Sequence, residues 1–413
     1  METKTGKRRG AWTAVAAAMV TVVGMGGAAQ ASAASPLDRQ ALRESLEGLP
    51  EDDVTGALVR VAGADGHWWG TTGVADRATG ERVRADAAFR IGGISKLFTG
   101  TVVLQLAGER QVDLVSPVRH YLPDLVPDTY DGVTVGMLLD HTSGFPAPPS
   151  AVLTGDGSNE WYAGHRRDHW APEEIVRLSM KGQRLSDPGR RQQYNGVNSY
   201  VAGLLVERVT GRSLAHEIRA RIVRPLGLGR TYLPAADDTS LAGRHTHGYL
   251  QVTEKDSSGV PRTVLEDVTE QSPSPWAEGG MVSTAADLDR FLDALLAGRL
   301  LRPAQQELLF RLPGRDVVNA DANHCPDAQG RPGPACYSKG GLMRAVLPDG
   351  TPDGLEIWGK TGSRPGYVNG LFATRDRSRR LTYSFGWSGR PGKSELPYVL
   401  RTTGAAFVGA AKP

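Results

Sequence analysis

Strand-type sequence lies at both ends of this chain and helical sequence lies between, and that distribution restricts the architecture more than any other feature. Ala57 to Val61 and His67 to Gly70 are short β-type runs joined by the turn-forming Gly63-Ala64-Asp65-Gly66. Strand signals return at Leu342 to Leu347, Leu355 to Lys360, Tyr367 to Thr374 and Leu381 to Trp387. Between Val112 and about Val268 the strands give way to helical patterns at Val133 to Leu139, Pro172 to Met180, Gly196 to Thr210 and Ser213 to Ile222. One antiparallel sheet must then be assembled from N- and C-terminal segments, flanked by helices, with a helical unit inserted. The expected fold class is α/β (α+β). Residues 34–110 and 275–413 form the α/β lobe, and residues 111–274 an inserted, mainly helical subdomain. Helices are also expected at Pro36 to Leu49, at Ala285 onward after the N-capping Ser283 or Thr284, and at Pro397 to Val408. Pro146 to Arg167 has little periodicity and reads as a long loop over a cleft.

A net charge of +3, with no Lys/Arg run outside the first ten residues, gives no reason to expect a nucleic-acid partner. That first stretch carries Lys4, Lys7, Arg8 and Arg9, and is followed by apolar residues from Ala11 to Ala28 and small residues around Ala31-Ser32-Ala33. The order is that of a secretory signal peptide over residues 1–33, with an uncleaved anchor as the alternative. A secreted, extracytoplasmic protein with no stable membrane span after cleavage is expected. Its two cysteines, Cys325 and Cys336, then meet oxidising conditions and are expected to form one disulfide. A metal pair with His324 lacks two further ligands at sensible spacing.

Three separated stretches carry the chemistry: Gly92-Gly93-Ile94-Ser95-Lys96, Gln193-Tyr194-Asn195-Gly196-Val197-Asn198, and Trp358-Gly359-Lys360-Thr361-Gly362-Ser363. The first opens a helix running from about Ile94 to Glu109. Its Leu97, Val102, Val103, Leu104 and Leu106 make it too apolar all round for a surface helix. Lys96 is therefore expected on a central, buried helix.

In order and flanks these stretches resemble the penicillin-binding-protein-like serine hydrolases: D-alanyl-D-alanine carboxypeptidases, class C β-lactamases and related esterases. The resemblance covers nearly the whole mature chain. It extends to Gly73-Val74-Ala75-Asp76, to Leu138 through Gly144, to Leu226-Gly227-Leu228 and to Gly279 through Leu288. Trp276-Ala277, just before the last of these, is most similar to the carboxypeptidase type. The resemblance implies a β-lactamase/transpeptidase-like fold with no cofactor and no metal. It makes Lys96 the lysine one turn after the nucleophile, Tyr194 the proton-relaying tyrosine, and Lys360 the positive charge on the strand side. Thr361, Gly362, Ser363 and Trp276 would line the substrate side, and the N–H groups at 93 and 363 would form the oxyanion hole.

Two positions depart from the pattern. Gly93 stands at the nucleophile position and has no hydroxyl, so no acyl-enzyme can form at its usual atom. Ser95 is no replacement: at about 100° per residue it lies roughly 200° around the helix from position 93, whereas Lys96 returns to within about 60°. Gly196 stands where the Tyr-x-Asn pattern places the asparagine that holds the substrate amide.

The sequence reading is thus an exported homologue that acts on or binds acyl-D-amino-acid peptides or related amides and esters, with serine acylation lost or strongly impaired. One alternative is an active hydrolase, acyltransferase, cyclase or isomerase using Lys96 and Tyr194 with an activated water or another non-covalent mechanism. Another is a non-catalytic ligand-binding or sensing module. His165 and His169 lack the glutamate of a zinc helix, and His245-Thr246-His247 reads as a surface turn. His141 reads as a structural histidine and Arg344 as a solvated arginine.

Overall fold

The computed structural model describes residues 36–320, 334–349, 351 and 354–409. The expected signal segment and Cys325, hence the Cys325–Cys336 pairing, lie outside the described residues. No helix among the described residues is long and apolar enough to cross a membrane.

Seven strands form the main sheet: β1 (Val54–Gly63), β2 (Gly66–Asp76), β3 (Glu81–Arg82), β4 (Met343–Leu347), β5 (Leu355–Arg364), β6 (Tyr367–Thr374) and β7 (Arg379–Trp387). They lie in the order β4-β5-β6-β7-β1-β2-β3, every neighbour antiparallel. The join between the two ends of the chain is the β1/β7 pair, in register from Ala57 opposite Phe385 to Gly63 opposite Arg379. Alternate residues face opposite ways along each strand. On β1, Val59 and Val61 pack beneath Leu42 and the C-terminal Val399 and Phe407. Leu58 faces the other way, into the larger core with Phe98 and Phe291. Helices therefore cover both faces: Arg39–Glu44 and Leu396–Phe407 on one, Ser95–Gly108 and Ala285–Leu296 on the other.

The Ser95–Gly108 helix is buried on almost all sides, as its apolar composition requires. Phe98 stacks on Phe291 with ring centroids 3.9 Å apart, and Thr99 Oγ1 donates to the Ala277 carbonyl at 3.2 Å. Asp289, on the Ala285–Leu296 helix, bridges to Arg60 at 3.2 Å and Arg380 at 2.7 Å, pinning that helix to β1 and β7. Thr284 caps it by accepting from the Asp287 N–H.

Two sequence expectations change. The region between residues 111 and 274 contains a β-hairpin, Tyr249–Lys255 with Pro261–Asp267. Its strands are mostly exposed and polar toward the turn, which leaves a weak apolar signal. Pro146 to Arg167 contains two short helices, Ser150–Leu153 and Asn159–His165. The second docks on the hairpin through Ala163 against Leu250 and Val252. Tyr162 of this helix accepts from Arg364 Nη2 at 2.9 Å, fastening the segment to the end of β5.

Candidate active site

The site is assembled where the turn opening the Ser95–Gly108 helix meets the edge of β5. Gly92–Ile94 forms a single 3₁₀ turn in which Gly92 has φ +52°, a conformation L side chains rarely adopt. A Cβ at Gly92 would lie 2.3 Å from the Ser363 carbonyl oxygen, and one at Gly362 would lie 2.1 Å from the Ile91 carbonyl oxygen. Backbone thus rests directly on backbone, which only glycine permits. A Cβ at Gly92 would also lie 2.6 Å from the Ser363 nitrogen, and one at Gly362 3.0 Å from the Gly93 nitrogen, so both N–H groups belong to this contact.

Gly93 is buried, and a Cβ there would lie 3.1 Å from Tyr194 Oη, 3.2 Å from the Thr361 carbonyl oxygen and 3.6 Å from Lys96 Nζ. The point where a nucleophile's side chain would stand is therefore ringed by the residues expected to serve it. Ser95 turns away: its Oγ accepts the Met281 N–H at 3.2 Å.

Lys96 is 8% exposed and its ammonium donates to Glu278 twice, to the carboxylate and, at 2.9 Å, to the backbone carbonyl. Burial drives the Lys96 pKa down, while the Glu278 charge and hydrogen bond push against that fall. Lys360 is also buried and sits over the Tyr194 ring at 4.6 Å, with Lys96 over the same ring at 4.8 Å. Burial holds Lys360 well below the usual lysine range, the nearby Lys96 charge adds to the fall, and Glu278 opposes it. Two lysine side chains share one aromatic ring, whose face favours cations. Tyr337 completes the wall: its ring stacks on Tyr194 with centroids 5.6 Å apart, and its hydroxyl accepts from Lys360 Nζ at 3.4 Å. His141, with φ +58°, packs its ring 4.7 Å from that of Tyr194.

The structure brings Gly93, Lys96, Tyr194, Lys360, Thr361, Gly362 and Ser363 together. Trp276 packs where a Cβ on Gly203 would come within 2.6 Å of its ring. It anchors the short Trp276–Gly279 helix, and that helix delivers Glu278. Position 196 stays without an asparagine. Asn195 donates to the carbonyls of Phe145 at 2.8 Å and Pro146 at 3.1 Å, and Asn198 is bound to Ser143 and His141. A Cβ at Gly196 would instead come 3.0 Å from Glu278 Cγ.

Glu278 and Tyr337 are the two residues that sequence reasoning missed. Glu278 adjoins Trp276-Ala277, but 182 positions separate it from its lysine. Tyr337 lies beside Cys336 in a stretch with no readable periodicity.

Comparison with known proteins gives the same architecture. Over 312 residues, 70% of this chain and 75% of the relative, the chain is 30% identical to the esterase EstB of Burkholderia gladioli. It is 29% identical to penicillin-binding protein 4 of Amycolatopsis lactamdurans, covering 62% of this chain and 63% of that one. Among solved structures, a D-stereospecific amidohydrolase from Streptomyces superposes with TM-score 0.72 at 29% identity, covering 91% of this chain and all of that one. D-amino acid amidase from Ochrobactrum anthropi shares the fold at TM-score 0.69 and 23% identity. The sequence model of the family described as Beta-lactamase matches residues 39–401, so the chain belongs to the beta-lactamase family of serine hydrolase folds.

Proposed function

We propose that this chain is an exported family member that binds acyl-D-amino-acid peptides, or related amides and esters, without forming an acyl-serine. The carrying observation is at Gly93: a side chain there would stand among Tyr194, Thr361 and Lys96, and the residue offers only hydrogen. The recognition elements around that point remain: Lys360 and Thr361 on β5, Tyr194 opposite, and two N–H groups at 93 and 363 suited to a carbonyl oxygen. An esterase, a penicillin-binding protein and a D-stereospecific amidohydrolase among the relatives support ligands of the amide and ester classes.

Calorimetric titration with an acyl-D-alanyl-D-alanine peptide, a D-amino-acid amide and an ester, each beside a product assay, tests the reading. Saturable heat from at least one, with no covalent adduct in the protein, is expected. Absence of binding by all three refutes it.

A second reading, turnover through an activated water, draws on the same place, where Tyr194 Oη and Lys96 Nζ would lie 3.1 and 3.6 Å from a Cβ at 93. It predicts product in the parallel assay, diminished by Lys96→Ala and Tyr194→Phe. Product formation unaffected by both substitutions refutes it.

A further inference from the structure

Gly93 and Gly196 are two departures from the family pattern, and both lie beside one ion pair. A Cβ at 93 would stand 3.6 Å from Lys96 Nζ, and a Cβ at 196 would stand 3.6 Å from Glu278 Oε1. We propose that Glu278 is a second lock on serine chemistry: it occupies the wall that a side chain at 196 would claim, and it holds Lys96 as an ammonium donor. This rests on the reading that acylation through position 93 is absent, and adds that the missing hydroxyl is only half of the reason.

Activation of a serine by a lysine requires the lysine's lone pair to accept the hydroxyl proton as the oxygen attacks the carbonyl. An ammonium has no lone pair. Two N–H donations, to the Glu278 carboxylate and carbonyl, are open to amine and ammonium alike, but only the ammonium is attracted by the carboxylate charge, and in that form the nitrogen's remaining hydrogen takes the place of its lone pair. The groups facing Lys96 among the described residues are Glu278, Lys360 and Tyr194, and Glu278 is the anion among them. Burial is the larger influence and lowers the Lys96 pKa on balance; the Glu278 charge and hydrogen bond oppose that fall, so the carboxylate narrows the pH range in which the amine is available.

The exchange at 196 makes the arrangement self-consistent. A Cβ there would meet Glu278 Cγ at 3.0 Å, so a side chain as large as asparagine requires Glu278 to move. Asn195 and Asn198 are committed to other partners and do not fill the wall. The two glycines are thus tied to one carboxylate. Glu278 acts through Lys96 and is a positioning residue.

The test compares Gly93→Ser, Gly93→Ser/Glu278→Gln and Gly93→Ser/Glu278→Ala, each first shown to melt cooperatively. Acylation by a labelled penicillin is followed by intact mass across a pH series. Gly93→Ser alone is expected to acylate slowly, and removing the carboxylate to accelerate it by about a hundred-fold, the range of a recovered general base. Removing Glu278 takes away the influence that raises Lys96, so the ascending limb of the rate–pH profile should move to lower pH. The alanine variant keeps the test informative if glutamine perturbs folding. Equal rates and superimposable pH profiles with and without the carboxylate overturn the proposal, as does failure of all three folded variants to acylate. Neither result touches the assignment of Gly93, which falls only if the parent chain itself forms the adduct.

Discussion

The contact between positions 196 and 278 can be weighed by a double-mutant cycle. Gly196 has φ −62° and ψ −33°, a conformation alanine adopts without strain, so Gly196→Ala tests space rather than backbone geometry. Its methyl would lie 3.0 Å from Glu278 Cγ, against the roughly 3.5–4.0 Å of an ordinary carbon contact. Relief requires Glu278 to retreat by about half an ångström while its carboxylate and carbonyl are both held by Lys96. Overpacking of this kind costs about 1–3 kcal/mol. Alanine also stiffens the unfolded chain, a gain of about 0.4–1 kcal/mol, but that gain is the same with or without Glu278 and cancels in the cycle. The coupling between Gly196→Ala and Glu278→Ala, measured by urea unfolding, should therefore be about 1–2 kcal/mol, with alanine at 196 better tolerated once Glu278 is gone. Additivity to within about 0.5 kcal/mol would refute the claim that one carboxylate has taken the space of the missing side chain.

Gly362→Ala should cost about 3 kcal/mol or more, because its methyl would meet the Ile91 carbonyl oxygen at 2.1 Å and no flexible side chain can yield. A melting temperature equal to that of the parent chain would contradict the backbone-on-backbone contact. Burial pushes the Asp140 carboxyl up to about 6 from 3.8, so the folded state binds this proton more tightly than the unfolded chain does. The associated stability is present below 3.8 and lost as pH rises through about 6, and roughly two pKa units correspond to about 3 kcal/mol. Asp140→Asn should flatten the stability–pH curve over that interval. A curve in the variant that still falls as far as the parent's would exclude Asp140 as its source.

How much of this was legible beforehand depends on whether a feature is local. Tyr367–Thr374 and Pro172–Met180 are observed with the bounds their periodicity implies, because a buried strand and an amphipathic helix write their packing into neighbouring residues. The 249–267 hairpin did not, since its exposed strands alternate weakly. Lys96, Tyr194 and Lys360 could be found because each sits in a short stretch whose order along the chain is informative. Glu278 could not: its role comes from a four-residue helix folding back onto a lysine far away in sequence, and from a glycine at 196 whose significance is the side chain it lacks. Tyr162 is similar, since its tie to Arg364 depends on a segment with no periodic signature. Chemistry carried by spacing is readable in one sequence, and chemistry carried by vacated volume needs the fold.

The most direct test of an otherwise assembled site with no nucleophile is incubation of the unaltered chain with a labelled penicillin at neutral pH, followed by intact-mass measurement. A mass unchanged from that of the untreated protein is expected. A stoichiometric covalent adduct would contradict it, and peptide mapping of that adduct would identify the nucleophile that replaces a serine at position 93.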